Sequence, residues 1–97
     1  MKETLIDYKE VVFEYLQAYS VGTIILRNSI INLLRAKYKI GASNKNAKVI
    51  RATDIMLRAF VDSGYAMRIA RGKYAIVSKT DINFLDFYNK YIYGHRF

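Results

Sequence analysis

Apolar side chains between residues 4 and 19 recur at the three- and four-residue spacing of a helix. Leu5, Tyr8, Val12, Tyr15, Leu16 and Tyr19 form one stripe, which Val11 and Phe13 widen, and Ser20-Val21-Gly22 ends it. Thr23-Ile24-Ile25-Leu26 is a short β-branched run of strand type. The spacing then predicts a helix over 29–38, with Asn28 as its cap and Ile30, Ile31, Leu33, Leu34 and Tyr38 apolar, broken at Gly41. GASNKN supplies turn residues, with Ser43 or Asn44 as N-cap of a third helix over about 45–63 that stops at Gly64. A final aromatic helix is expected over 82–93, capped by Asp81.

Between the last two helices, GYAMRIARGKYAIVSK alternates apolar residues with basic or small ones around Arg71-Gly72. This is the pattern of a β-hairpin. Placing Ile69 opposite Tyr74 and Met67 opposite Ile76 gathers the apolar side chains on one face. Arg68 then faces Ala75, and Ala70 faces Lys73, on the other. Arg-Gly is not a favoured pair for a type I′ turn, so a four-residue loop over 70–73 is an equal expectation. The order is helix, strand, helix, helix, hairpin, helix: an α+β fold, mainly helical. No proline-rich linker or repeat divides residues 1–97, so one domain is expected.

Composition sharpens this picture chiefly through charge. The formal net charge is +8, and residues 21–79 hold twelve Lys and Arg against two acids, Asp54 and Asp62. An ordinary solvated surface intersperses both signs, so one-sign concentration points to a polyanion. Cysteine is absent, which excludes disulfides and thiolate metal sites; the one histidine, His95, is expected to be a solvated side chain and not a ligand or general base, and no nucleophile–base set is found. The expectation is a non-enzyme without cofactor, metal or small-molecule ligand. No apolar run reaches membrane-span length and the first residues carry no signal-type core, so a cytoplasmic protein without membrane association is expected.

Helix, strand, helix, helix, basic hairpin resembles the winged helix-turn-helix family. The likeness is carried by NSIINLLRAKYKIG, NKNAKVIRATDIMLRAFVDSGY and RIARGKYAIV, within residues 21–79. Leu57, Phe60, Gly64 and Tyr65 supply the recurrent lead from the second helix of the motif into the hairpin. The stretch from Tyr38 to about Asn44 is longer than the tight turn of the simplest motifs. Small size, Ile and Tyr richness and lack of cysteine look like winged-helix proteins of thermophilic archaea, their viruses and plasmids. The resemblance implies double-stranded DNA as partner, a recognition helix at about 45–63 and a wing at about 65–78.

Wound as a helix, 45–63 is expected to bury Ile50, Thr53, Leu57, Phe60 and Val61. The opposite face then takes Lys48, Arg51, Ala52, Ile55 and Ala59, with Lys45 and Arg58 at its edges. Arg51 is the expected base reader, because a guanidinium pairs in bidentate fashion with guanine. Asn46 suits adenine and Ile55 a thymine methyl, while Lys45 and Lys48 suit phosphates. Asp54 is expected to pair with Arg51 or Arg58 by helical spacing if this face is merely solvated. Arg68, Arg71 and Lys73 are the expected wing contacts, and Arg35, Lys37 and Lys39 the expected phosphate contacts of the preceding helix. The end helices, 4–19 and 82–93, are rich enough in apolar residues to suggest a homodimer through Val11, Phe13, Phe84, Phe87, Tyr88, Tyr91 and Ile92. The competing expectation is that these residues complete one monomer's core. A sequence-specific transcriptional regulator is the leading functional expectation. A low-specificity DNA-coating, architectural or plasmid-partition protein and a winged-helix protein-interaction module stand beside it.

Overall fold

A computed structural model describes residues 5–39 and 46–93 of the chain. Helix α1 (Leu5–Ala18) leads to strand β1 (Ile24–Leu26), then to helices α2 (Arg27–Tyr38) and α3 (Asn46–Asp62). Strands β2 (Ala66–Ala70) and β3 (Lys73–Ile76) form the hairpin, and α4 (Phe84–Tyr88) closes the order, running on into a π-helical turn, Asn89–Tyr93. The protein is α+β and mainly helical, in the expected order. Lys45, the cap candidates Ser43 and Asn44, Gly41 and His95 lie outside the described residues.

Helix α3 is the central element, packed against α1, α2 and β2. Val12, Leu16, Ile30, Leu34, Val49, Met56 and Leu57 are almost wholly buried at these junctions. Its C-terminus closes as the sequence predicts. Gly64 takes φ +86°, and the Tyr65 N–H reaches back to the Phe60 carbonyl at 3.0 Å, the 6→1 bond of a left-handed helix stop.

The three strands form one antiparallel sheet in the order β1-β3-β2. Helix α2 begins two residues earlier than predicted and is not capped by Asn28. Its cap residue is Leu26, extended at φ −100° and ψ 132°, with no side-chain cap bond. The physical reason is the ladder itself. Leu26 pairs with Lys73 across β3, and the first free donor of the helix, the Arg27 N–H, goes to the Gly72 carbonyl at 2.9 Å. Strand pairing therefore does the work of a cap. At the far end, α2 stops on Lys39 in the left-handed region, φ 54°, and its N–H bonds to Arg35.

The hairpin departs from the expected register. Ala70 faces Lys73 as predicted, so the loop is only Arg71-Gly72, but Arg68 faces Tyr74 and Met67 faces Ala75. A β-bulge at Ile69 takes up one extra residue, and a one-residue shift turns every side chain beyond it to the opposite face. Ala66 and Ile76 consequently point into the core, while Met67 and Ile69 lie half-exposed outside. The turn needs a positive φ only at Gly72 (+73°), not at Arg71, which removes the objection to so short a loop.

The last helix starts at Phe84 and is capped by Asn83, whose side chain accepts from the Asp86 N–H at 2.9 Å; Asp81 is not the cap. Its aromatic side chains close the core. Phe87 sits 5.0 Å from Phe60, 5.1 Å from Phe13 and 5.0 Å from Tyr91, ring centre to ring centre. This corrects the proposed dimer surface, because Val11, Phe13, Phe87 and Ile92 are buried within the chain itself. Phe84, Tyr88 and Tyr91 are half-buried against the same cluster. They satisfy one another across α1, α3 and α4, so their abundance needs no second subunit. Among the described residues no helix is long and apolar enough to cross a membrane, and no acid–histidine cluster could hold a metal ion.

Candidate functional site

The start of α2, the middle of α3 and the hairpin tip enclose an open cleft of about 680 Å³. Its walls carry Arg27, Asp54, Arg68, Arg71, Lys73 and Tyr74. Asp54 is the only acid among them. Its carboxylate receives two bonds from the Arg27 guanidinium, Nε to Oδ1 at 2.6 Å and Nη2 to Oδ2 at 3.0 Å, with both side chains partly exposed. This fork-on-fork geometry raises the Arg27 guanidinium still further above its ordinary value, the hydrogen bond to Asp54 being the main cause. Arg27 thus joins three elements. Its backbone N–H holds the hairpin turn, its side chain holds α3, and its own position begins α2.

Two local features load the cleft with charge. The Ile69 bulge places Arg68 in line with Tyr74 on the inner side of the sheet, beyond the edge of the core, and so in the cleft. In the predicted register Arg68 would have faced Ala75, away from it. The two-residue turn holds Arg71 at the hairpin tip, and Lys73 follows opposite Leu26.

Beside the cleft, α3 presents an exposed stripe of Ala47, Lys48, Arg51, Asp54, Arg58 and Asp62. Arg58 and Asp62 approach to 3.8 Å across one helical turn. Lys48, Arg51, Arg68, Arg71 and Lys73 are exposed and have no ion-pair partner among the described residues.

Three expectations for α3 need correction. Ala52 and Ala59 are buried, 0% and 3% exposed, and Ile55 is half-buried against the core. The alanines are the surface on which the flanking helices approach, not clearance for a ligand. The buried arc centres on Val49, Ala52, Met56 and Phe60, and Ile50 and Val61 fall to its margin. Asp54 pairs with Arg27 and not with Arg51 or Arg58, and it shares the exposed face with Asp62. Asn46 is the first described residue of α3. Arg35, Lys37 and Lys39 lie at the opposite end of α2 from Arg27, roughly 15 Å along the axis at 1.5 Å per residue, and line no part of the cleft.

Arg27, Asp54 and Tyr74 are site residues that the sequence pattern does not reveal. No local signal links Arg27 to Asp54 across 27 positions. The one usable hint is a lone acid within a basic segment.

One further cation borders this face. Lys9 of α1 is buried, its ammonium 5.4 Å from the centre of the Tyr88 ring. Burial first, and the Arg51 charge second, push its pKa below the ordinary lysine value.

In comparisons with known proteins, no family model, curated protein or solved structure matches the chain.

Proposed function

We propose that the protein is a winged-helix DNA-binding protein that lays the exposed stripe of α3 in the major groove and sets the hairpin against the adjoining backbone or minor groove. One observation carries this reading. Five exposed cations without ion-pair partners among the described residues lie on α3 and the hairpin, and Arg27 bonds to both of these elements. Residues 47–54 of the stripe span roughly 10 Å along the helix, within a major groove about 12 Å wide. Arg51 is the guanine reader of this arrangement, Lys48 a phosphate contact, and Arg71 the tip contact where a narrow minor groove favours arginine. Sequence-specific transcriptional regulation is the function in which such a base-reading set is used.

The test is fluorescence-anisotropy binding to a random 30-base-pair duplex and to a pool selected for binding, each across a salt series. With four or five phosphates neutralised, log K against log salt should fall with a slope of about −4. A regulator enriches one sequence and keeps a large preference at physiological salt. Uniform binding that collapses with salt identifies a coating or architectural protein. A second reading, a protein-interaction module, is favoured by the outer face of the sheet, where Ile24, Leu26, Met67 and Ile69 are about half exposed. Its result would be no duplex binding at low salt.

A further inference from the structure

Asp54 is out of place on a surface built for phosphate. It stands midway along the exposed stripe of α3, in the wall of a cleft whose other charged residues are all cations, and its negative charge opposes every phosphate that approaches. A carboxylate there weakens sequence-independent binding. It must therefore act on something other than the backbone, or serve only as a joint.

The geometry separates these roles. A carboxylate has two oxygens with about four lone-pair directions, and the Arg27 fork occupies one on each. The other two are left to the solvent side, since the Asp54 side chain is 49% exposed. Arg27 is itself fixed, by its backbone bond to Gly72 and its place at the start of α2. Asp54 is consequently an acceptor-only group held in one orientation on the outward face of the helix. It lies about 4.5 Å further along the axis than Arg51, a little over one base-pair step. In a major groove the donors that meet such a group are the amino groups of cytosine N4 and adenine N6. Only for cytosine is there no neighbouring acceptor on the same base edge to repel the carboxylate.

We infer that Asp54, held by Arg27, is a specificity-determining residue that selects cytosine at one position next to the base read by Arg51 and penalises non-specific binding. This rests on the DNA-binding reading above. Arg27 is a positioning residue, acting through Asp54.

The experiment is selection from a random duplex pool by the wild-type protein and by Asp54→Asn, Asp54→Ala and Arg27→Lys, with anisotropy titration of the selected and random duplexes and a thermal melt of each protein. Wild type should select cytosine at one position with a preference of about tenfold. Asp54→Asn should move that preference to adenine, because an amide offers both the donor and the acceptor that adenine N7 and N6 require. Asp54→Ala should abolish the preference and bind the random duplex several-fold more tightly. Arg27→Lys, which keeps the charge but loses the fork, should weaken the cytosine preference several-fold without moving it to another base.

A purely structural joint gives a different result: lowered melting temperatures with the selected sequence unchanged at every position. That outcome overturns the inference while leaving DNA binding intact. Absence of binding by folded wild-type protein to any duplex overturns both.

Discussion

The two sides of α3 solve opposite problems. Toward α1 and α4, Phe13, Phe60, Phe87, Tyr65 and Tyr91 meet edge-on or tilted at ring separations of 5.0–6.4 Å, and each aromatic face finds another inside the chain. Toward α2 and the hairpin, charge of one sign accumulates, and Arg27–Asp54 is the one ion pair among the described residues of the cleft. The first side closes on itself and the second does not. Residue abundance alone does not separate the two cases, because aromatics and cations are both in excess along the sequence. What separates them is whether the fold supplies partners. It does for the rings, so the aromatic excess is structural; among the described residues it gives no ion-pair partner to Lys48, Arg51, Arg68, Arg71 or Lys73, so their charge is available to a ligand.

The largest effect should come from breaking the closed side. Phe87 is 0% exposed and touches the rings of Phe13, Phe60, Tyr65 and Tyr91. Phe87→Ala should cost about 3–5 kcal/mol, a large part of the roughly 5–15 kcal/mol typical of a whole domain, measured as a drop in the urea midpoint. Its effect on the proposed duplex binding should vanish under conditions where the variant remains folded.

The open side should show the converse. Arg51→Ala and Arg71→Ala remove exposed cations with no ion-pair partner among the described residues, so stability should change by less than about 0.5 kcal/mol. Each should reduce the salt slope by about 1 if that residue neutralises a phosphate. Should Arg51 read guanine instead, its removal costs about 1–3 kcal/mol on the selected sequence and much less on random DNA. A stable variant whose duplex titrations overlay the wild type at every salt would leave that cation without the proposed role.

Much of this contrast is legible in the sequence. Helices α1, α2 and α3 each bury one face over many residues, so their periodicity survives small errors at the ends. The hairpin is visible as a hairpin, but its register is not. Ile69 is apolar and fits either the core face or a bulge, and that one choice decides which side Arg68 occupies. The rotation of α3 is hard to read because alanine carries no strong signal. Ala52 and Ala59 resemble small exposed residues, whereas helix packing on both flanks requires them inside. Least legible is Arg27–Asp54, a contact created by tertiary packing between residues with no periodic relation.

A smaller effect tests the interior of α3 between the two sides. Thr53 is fully buried, and its Oγ1 finds no hydrogen-bond partner among the described residues. An unsatisfied hydroxyl of this kind is destabilising, whereas a methyl in the same space is not. Thr53→Val should therefore raise stability by about 1 kcal/mol in urea titration without altering the proposed duplex binding. A loss of stability would show that the hydroxyl has a partner in solution.

The smallest effect lies where the two sides meet. Lys9 places its ammonium over Tyr88 of the aromatic side, within reach of the Arg51 charge of the open side, and its pKa is lowered by burial and then by Arg51. For a base whose folded pKa lies below its unfolded value, the unfolded chain holds more protons between the two. Stability from this group therefore rises with pH through that window. Below the folded value the penalty for burying the charge is carried in full. It is relieved as pH climbs toward about 10, the ordinary lysine range. Higher still the trend reverses, because burial raises the pKa of Tyr15 and Tyr65, so the folded chain then retains protons that the unfolded chain releases. Lys9→Met removes the charge and keeps the apolar stem. It should melt slightly above wild type at pH 7, and the gap should shrink as pH rises toward the ordinary lysine value of about 10. A gap of the opposite sign at pH 7 would mean that the ammonium's attraction to the Tyr88 ring outweighs its burial, and that the boundary between the two sides is held by Lys9 and not strained by it.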